Sequence, residues 1–268
     1  MKDNFENILL VNSEDNGVLR LTLNDLDNKN ALSELMMQKL INAIREASKD
    51  KSVKVIVIAS GGNVFCSGHN LKEINEARKV DDGGKSYYLE LFKTCSSLMQ
   101  LIVDCSKPVI AEVGGIATAA GCQLVASCDL AISSNTAKFA TPGVNIGLFC
   151  STPMVALSRN VNKKEAMKML LTGDMIDAVE AKRISLINDY VSEDKLKESV
   201  HDLAHKISKK SLMTIKTGKE AFYKQYEMSL SDAYEYTSMV MVQNTLSDNA
   251  KEGISSFIEK RDPNWQDN

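Results

Sequence analysis

The clearest signal for the fold lies in residues 108–124, which read PVIAEVGGIATAAGCQL. The apolar run from Pro108 to Val113 predicts a buried strand, and the pair Gly114-Gly115 ends it. A turn of small residues, Thr118-Ala119-Ala120-Gly121, then leads into a helix that we expect to continue to Cys128. This stretch therefore predicts a strand, a turn and a helix in close succession.

The same order of elements occurs once before in the chain. The run from Val53 to Ser60 is almost continuous and rich in β-branched residues, which is typical of a strand covered on both faces. Gly61-Gly62 and the small turn Cys66-Ser67-Gly68 follow it, and a helix is predicted from Leu71. A repeated strand–turn–helix order predicts an α/β core.

Hydrophobic periodicity predicts the elements around these two units. Ile8–Val11 and Val18–Leu23 would pair as a hairpin around an Asn-Gly turn, and after Pro153 the only strand signal is 189–191. No Gly, Ser or Pro-rich linker precedes the helical part. We therefore expect the C-terminal helices to be integrated with the α/β region and not to form an independent domain. The predicted helices cover residues 34–49, 85–103, 163–172, 178–185, 192–206, 212–226, 232–244 and 250–261.

Composition and charge narrow the class of protein. The chain has 268 residues, of which 44% are hydrophobic and 25% charged, a balance typical of folded globular proteins. A formal net charge of −3 gives no general electrostatic reason to bind nucleic acid or anionic lipid. The most apolar long stretch, from Pro108 to Ser133, contains Glu112, Gln123 and Asp129, so it does not predict a membrane span.

The start of the chain and the cysteines bear on the compartment. The acidic start MKDNFENILL has neither the apolar core of a signal peptide nor the Arg/Ser bias of a transit peptide. We therefore expect a cytosolic protein, with the mitochondrial matrix as the alternative in a eukaryote. No C-x-x-C pair or Cys/His cluster is present, so buried free thiols are expected and a metal site is not. The cysteines are Cys66, Cys95, Cys105, Cys122, Cys128 and Cys150.

The two small-residue turns are candidates for binding chemistry. Small side chains let a ligand approach the backbone, whose N–H groups can donate hydrogen bonds. Two converging amides would form an oxyanion hole; the equally weighted alternative is that the turns only allow close packing of strands and helices. A phosphate-binding loop is not predicted, because neither G-x-G-x-x-G nor a final Gly-Lys-Ser/Thr is present.

A family resemblance extends this interpretation. Residues 65–73, FCSGHNLKE, resemble the first oxyanion-turn motif of the crotonase superfamily, the enoyl-CoA hydratase/isomerase fold. Residues 114–124 with Cys128-Asp129-Leu130 resemble the second, and NAL at 30–32, LTG at 171–173 and GISSFIEKR at 253–261 fall where the family has counterparts. The resemblance covers nearly the whole chain, and residues 115–153 look most similar to the subgroup called enoyl-CoA hydratase domain-containing protein 3.

The resemblance implies an architecture and a ligand. The fold would be α/β, a crotonase-type spiral of ββα units over residues 1–195, followed by a helical trimerisation region over 196–268. Such chains usually assemble as trimers or dimers of trimers. The implied partner is an acyl-CoA thioester, with coenzyme A entering as part of the substrate, and no separate cofactor is expected.

The resemblance also assigns site residues by motif. The two amides that stabilise a thioester enolate would be those of His69 and Ala120. Phe257 and Lys260 match tail residues that reach the CoA of a neighbouring subunit, and Asn70 stands where the family commonly has Asp. The positions matched to CoA contacts are Lys29, Ala31, Leu32, Ser67, His69, Asn70, Leu71 and Lys72.

The family's acid positions depart from the pattern. A hydratase of this family uses two glutamates and a dienoyl isomerase a third acid, and these positions read Gln123, Gly143 and Ser151 here. Glutamine does not titrate near neutrality, and glycine has no side chain. Losing two general acid/base groups would raise the barrier by roughly 5–11 kcal/mol, so efficient hydration is not expected.

Three other side chains could carry the proton. His69 titrates near neutral pH, Cys150 follows Gly143 in the same loop, and Glu112 lies on the strand before the second turn. For each of them a structural role is the favoured interpretation: a spacer, a pocket lining and a salt-bridged carboxylate.

Three hypotheses for the function follow. The leading one is an acyl-CoA-binding enzyme of the lyase or isomerase class that relies on enolate stabilisation, as in slow isomerisation, decarboxylation or thioester hydrolysis. The second is a non-catalytic acyl-CoA sensor or carrier, and the third is a purely structural oligomer.

Overall fold

The computed structural model describes residues 7–266, which form two β-sheets covered by helices. The strands are β1 (Leu9–Glu14), β2 (Val18–Leu23), β3 (Val55–Ser60), β4 (Val64–Cys66), β5 (Val109–Val113), β6 (Ile116–Thr118), β7 (Leu130–Ser134), β8 (Lys138–Ala140), β9 (Ile176–Asp177) and β10 (Asp189–Val191). The larger sheet has the order β1-β2-β3-β5-β7-β10, and the smaller has the order β4-β6-β8-β9.

Helices join these strands and then dominate the second half of the chain. They are α1 (Glu34–Lys49), α2 (Leu71–Ala77), α3 (Lys85–Asp104), α4 (Ala120–Ser127), α5 (Pro153–Asn160), α6 (Lys163–Thr172), α7 (Ala178–Arg183), α8 (Glu193–Ser208), α9 (Leu212–Tyr226), α10 (Leu230–Leu246) and α11 (Asp248–Glu259). The helical character of the C-terminal part is confirmed.

The predicted hairpin forms the edge of the larger sheet. Strands β1 and β2 pair antiparallel, and Asn16 and Gly17 of their connection have φ of 61° and 78°, the left-handed region that suits an Asn-Gly turn. Strand β2 then pairs in parallel with β3, which extends the sheet inward. The alternation of β2 places Leu21 in the main apolar core and Val18 on the opposite face.

Three consecutive ββα units build the rest of the core. Strands β3, β5 and β7 lie side by side and parallel in the larger sheet, and each is followed within a few residues by β4, β6 or β8 of the smaller sheet. A helix comes next in each unit, namely α2, α4 and α5. The α/β fold class and the spiral of ββα units are therefore confirmed.

Helix α8 covers the outer face of the larger sheet. Leu196 and Val200 of this helix pack with Val57 and Ile110 in a second apolar cluster. The helix spans residue 195, where the resemblance divides the spiral core from the helical region, and that division stays a prediction.

The resemblance implies a second strand in each unit, but hydrophobic periodicity alone does not predict the smaller sheet. Its strands have two or three residues each, which is too short for alternation to be recognised, so β4 and β6 were predicted as parts of turns. Helices α10 and α11 both begin two residues before their predicted starts. The reason is their N-caps: Ser229 accepts from Asp232 N, and Ser247 accepts from Ala250 N.

The interpretation of the acidic start cannot be compared with the fold, because residues 1–6 lie outside the described part. Within residues 7–266, no helix is long and apolar enough to cross a membrane.

Candidate functional site

The two small-residue turns lie against each other. Strand β4 pairs in parallel with β6, and Thr118 Oγ1 donates to Ser67 O at 3.1 Å. A Cβ on Gly121 would lie 2.1 Å from the carbonyl oxygen of Cys66, so only glycine permits this approach. Main-chain packing therefore holds the two turns in contact.

The two candidate amides are not used inside the fold. Neither His69 N nor Ala120 N donates a hydrogen bond to an acceptor among residues 7–266. Ala120 is the first residue of α4, so its N–H lies at the positive end of that helix. Ala119 has a φ of 51°, a strained value for a residue with a side chain, and it donates to Ala140 O at 2.9 Å. The position of a Cβ on Gly68 lies 3.3 Å from Ala120 N, so the residue before His69 adjoins the second amide.

The loop over residues 29–32 lies beside the first turn. Ser67 N donates to Lys29 O at 3.2 Å, and Leu32 N donates to Gly68 O at 2.8 Å. Asn30, which is fully buried, fixes the loop by donating to two carbonyl oxygens at 2.7 and 3.0 Å. In the sequence, Asn30 appears only as part of the motif at 30–32. Its anchoring role becomes visible in the structure, because a buried polar side chain needs hydrogen-bond partners. The matched positions brought together here are Lys29, Ala31, Leu32, Ser67 and His69.

Helix α2 begins at the rim of the same loop. Asn70 Oδ1 accepts from Lys72 N at 3.0 Å, so the side chain that replaces the family's Asp caps the helix. Leu71 is exposed, and Lys72 Nζ lies 3.5 Å from Asn28 Oδ1. The rim therefore presents an apolar and a cationic side chain next to the turns.

Two of the three family acid positions differ in burial. Gln123 is buried on α4, where its Oε1 accepts from Cys95 Sγ at 3.8 Å. Ser151 is exposed, and its hydroxyl donates to Phe149 O in its own loop at 3.4 Å. Neither supplies a group that titrates near neutral pH.

The third acid position, Gly143, is closed off by its own loop. A Cβ there would lie 2.7 Å from Leu148 O and 2.9 Å from Cys150 Sγ. Burial raises the pKa of the Cys150 thiol, so the thiol is neutral at pH 7 and is a poor nucleophile. The interpretation of Cys150 as pocket lining stays a prediction.

Glu112 faces away from the turns. Ala111 and Val113 point into the main apolar core, whereas Glu112 lies on the opposite face of β5 and pairs with Arg20 at 2.7 Å. Arg20 also pairs with Glu14 at 2.6 Å. The salt-bridged interpretation of Glu112 is confirmed, and proton transfer by it at the turns is excluded.

Asp129 has a structural environment. Its carboxylate accepts from Val109 N at 2.7 Å, from Lys219 Nζ at 2.7 Å and from Tyr223 OH at 2.8 Å. Lys219 also donates to two carbonyl oxygens, at 2.9 and 3.0 Å, and joins α9 to the core. Sequence reasoning missed Lys219 because no local pattern pairs residues 90 positions apart.

The imidazole of His69 is packed beneath α3. Its Nδ1 lies 3.4 Å from Leu32 O, and its ring meets Phe92 edge-on with centroids 5.6 Å apart. Burial lowers the pKa of this imidazole, which is therefore neutral at pH 7. Its Nε2 is buried and has no hydrogen-bond partner within residues 7–266. The spacing of Phe92 and Cys95 on α3 could have indicated that one helix face reaches both His69 and Gln123.

The two tail positions matched by the family resemblance do not lie at the two turns of their own chain. Phe257 and Lys260 are exposed at the end of α11, which packs on α10. No hydrogen bond in the described range links either residue to the two turns. A role at the site of a neighbouring subunit stays a prediction.

No metal centre is evident among residues 7–266. All six cysteines are buried and free. No group of three or more His, Cys, Asp or Glu side chains in the described residues could hold a metal ion.

Comparisons with known proteins agree with this geometry. The family profile of enoyl-CoA hydratase/isomerase matches residues 13–268. The chain is 48% identical over 257 residues to the mitochondrial enoyl-CoA hydratase domain-containing protein 3 of Xenopus laevis, covering 96% of this chain and 86% of the relative. The human counterpart is 45% identical over 249 residues, covering 93% and 80%. Those names place the relatives in mitochondria, and the expectation of a cytosolic protein finds no support in them.

Solved structures that are similar to this chain come from the same family. An enoyl-CoA hydratase of Mycobacterium smegmatis superposes with a TM-score of 0.92 at 44% identity, covering 96% of this chain and 98% of that one. The human enoyl coenzyme A hydratase domain-containing protein 3 superposes with a TM-score of 0.91 at 43% identity, covering 96% and 100%. The chain belongs to the enoyl-CoA hydratase/isomerase family, the crotonase superfamily, and resembles the subgroup of domain-containing protein 3.

Proposed function

We propose that the chain binds an acyl-CoA thioester with its carbonyl oxygen between the amides of His69 and Ala120, and that it stabilises the enolate of that thioester. The observation that carries the proposal is that both N–H groups lack an acceptor among residues 7–266 although they lie on turns packed against each other. Each donor in such a site is worth about 3 kcal/mol in a transition state. The reaction would be of the lyase or isomerase class, with coenzyme A as part of the substrate.

The rim over residues 29–32 and 67–72 would receive the CoA portion. Exposed Lys72 can pair with a phosphate, and exposed Leu71 offers an apolar surface beside it. The left-handed backbone at Lys29 and Asn30 turns the loop toward the first oxyanion turn. A ligand bound here would reach from the rim to both amides.

A non-catalytic acyl-CoA-binding protein is the second candidate. It is favoured by the closed loop at Gly143, where a side chain beginning with Cβ would lie 2.7 Å from a carbonyl oxygen. It is also favoured by buried Gln123, which cannot carry a proton near neutral pH. Both features make efficient hydration by the family's usual carboxylates unexpected.

Calorimetry tests the binding proposal. The purified protein is titrated with crotonyl-CoA, butyryl-CoA and free CoA, and we expect both thioesters to bind more tightly than free CoA. An equal affinity for all three ligands would contradict the proposal that the two amides bind the thioester carbonyl oxygen. A failure of all three to bind would leave a structural protein.

The absorbance of crotonyl-CoA tests the reaction. Hydration removes the conjugated double bond, and we expect a rate at least about 10²-fold below that of an ordinary hydratase assayed alongside, since at least one general acid/base is missing. A rate equal to that of the ordinary hydratase would contradict the argument from the acid positions.

The helical region is proposed to assemble the chain into trimers or dimers of trimers. Large apolar side chains on α9, α10 and α11 are exposed in the single chain. They are Phe222, Tyr226, Leu230, Tyr234, Met239, Met241, Val242, Leu246, Ile254, Phe257 and Ile258. Burying such a surface against copies of itself is favourable. Sedimentation equilibrium gives the mass of the assembly, and a monomer at micromolar concentration would contradict the proposal.

A further inference from the structure

The chain reverses its direction at the end of α11. Lys260 has a φ of 57°, and Arg261 N donates to Ser256 O at 3.0 Å, which is the pattern of a helix that ends in the left-handed conformation. Pro263 follows and has no N–H with which to continue a helix. Residues 262–266, which we call the C-terminal strap, then run back along α11 toward its start.

Two polar side chains of α11 hold the strap. Glu252 accepts from Asn264 N at 2.8 Å and pairs with both ends of the Arg261 guanidinium, at 2.6 and 2.9 Å. These hydrogen bonds, with Arg261 first, lower the pKa of Glu252 to about 2, so its carboxylate is charged at neutral pH. Asn249, which is buried, accepts from Gln266 N at 2.8 Å and donates to Gln266 O at 3.2 Å. The backbone of the strap is therefore bound to α11 at two points, one helical turn apart.

The indole of Trp265 extends this contact to another helix. Its Nε1 donates to Lys209 O at 2.8 Å. Lys209 follows the last residue of α8, so its carbonyl oxygen is one that a helix end leaves without a partner in the helix. A Cβ on Gly253 would lie 3.1 and 3.2 Å from two carbons of the Trp265 ring, so the bare backbone of this glycine seats the ring on α11. The strap therefore ties α11 to the end of α8.

The strap covers only one face of α11. Asn249 and Gly253, which it contacts, are four residues apart and lie on the same side of the helix. The large apolar side chains of α11 lie outside this face and are exposed in the single chain. They are Ile254, Phe257 and Ile258. A docked strap thus leaves the apolar part of the helix open to contact.

We propose that the C-terminal strap is a clasp that fixes α11 in the position from which its apolar side chains assemble with a second copy of the chain. This inference rests on the proposed assembly into trimers or dimers of trimers. Ordering a helix during association costs conformational entropy, and a docked strap has removed that cost before the subunits meet. Release of the strap leaves α11 without its tie to the end of α8, and assembly weakens.

Replacing Gly253 by alanine tests the seat of the indole. Trp265 is the only tryptophan in the chain, so tryptophan fluorescence reports on this ring alone. In Gly253→Ala we expect emission at longer wavelength, stronger quenching by acrylamide and a dissociation constant of the assembly about tenfold higher, roughly the effect of one lost hydrogen bond. Gly218→Ala is the matched control for the emission, which it should not change, because a Cβ at that position inside α9 meets nothing within 4 Å. Alanine favours a helix over glycine at both positions, so helix preference alone cannot separate the two variants.

Replacing Trp265 by alanine removes the ring and its N–H donor together. Hydrogen exchange followed by mass spectrometry compares the amides of α11 with those of α1 in the full chain. We expect exchange at least about tenfold faster in α11 and unchanged in α1, because only the local opening of α11 becomes easier. Sedimentation equilibrium should show a dissociation constant of the assembly about tenfold above that of the unaltered protein.

The outcomes separate this inference from the proposed assembly. Faster exchange in α11 with assembly as tight as in the unaltered protein would overturn the link between the strap and assembly. Unchanged exchange in α11 would show that the strap does not hold this helix. If Trp265→Ala does not fold, the milder Gly253→Ala decides the point, and unchanged emission and assembly in it would overturn the inference. An unaltered protein that stays monomeric would instead overturn the proposed assembly, whereas exchange in α11 would still measure the hold of the strap on the helix.

Discussion

Replacing Gly121 by alanine should separate the two oxyanion turns. The added Cβ would lie 2.1 Å from Cys66 O and 2.8 Å from Cys66 Cβ, whereas ordinary contacts are about 3.5–4 Å. The neighbouring atoms are backbone and a short side chain in a paired strand, so they cannot rotate out of the way. Relief of the contact requires the turns to move apart by about 1.4 Å or more.

That displacement has a cost in stability and in ligand affinity. Overpacking of this kind typically costs about 1–3 kcal/mol of unfolding free energy. Ala120 directly precedes the substituted residue, so its amide would leave the point where it can meet the amide of His69. Two hydrogen bonds of about 1 kcal/mol each to a thioester oxygen correspond to about a 30-fold loss of affinity.

Urea unfolding and calorimetry with butyryl-CoA measure the two effects. Gly218→Ala is the matched control, since a Cβ there meets nothing within 4 Å and the residue lies inside α9. The control should gain about 0.5–1 kcal/mol, because alanine loses less entropy than glycine in a helix. A Gly121→Ala variant with the same stability in urea and the same affinity for butyryl-CoA as the control would refute the idea that the packing of the two turns forms the site.

Three further changes test other parts of the structure. Gly68→Ala should weaken butyryl-CoA binding about tenfold in calorimetry, because its Cβ would lie 3.3 Å from the second oxyanion amide. Gly83→Ala, at a glycine that also has a positive φ (65° against 94° at Gly68) but open space around it, should bind normally, and equal losses in both variants would contradict the site. Lys219→Met should lower the unfolding free energy in urea by about 3–5 kcal/mol, since it removes the cationic partner of the part-buried Asp129 carboxylate and one donor to each of two carbonyls, whereas Lys216→Met on the exposed face should have little effect. Gly143→Glu should cost about 1–3 kcal/mol and leave crotonyl-CoA hydration slow, because its Cβ would lie 2.7 Å from a carbonyl oxygen of the same loop; a variant of normal stability would show that this loop opens readily.

Much of the fold could be predicted because its signals are local. The Asn-Gly turn, the cap of Ser33 on α1 and the cap of Asn162 on α6 act within a few residues of chain, and the structure has each of them. Each copy of the order strand, glycine pair and small turn also occupies a short stretch, residues 53–68 and residues 108–121. Such patterns can be read along the chain without knowing what packs against what.

The candidate site could be predicted only in part. The amides of His69 and Ala120 were assigned by motif, and the sequence could not say whether other groups of the chain already used them. The partners of two carboxylates also could not be predicted: Glu112 pairs with Arg20, and Asp129 pairs with Lys219. These pairs depend on which face of a strand or helix meets which neighbour.

The amino-acid sequence alone was sufficient for the type and order of the longer elements and for the family, because hydrophobic spacing, caps and glycine turns are local properties. Three-dimensional packing was needed for the contact of the two turns, the closed loop over Gly143 and the burial of Nε2 of His69. The first and the last of these arise where segments distant in the chain pack against each other. The loop over Gly143 closes through residues only five to seven positions away, but hydrophobic spacing does not reveal that contact.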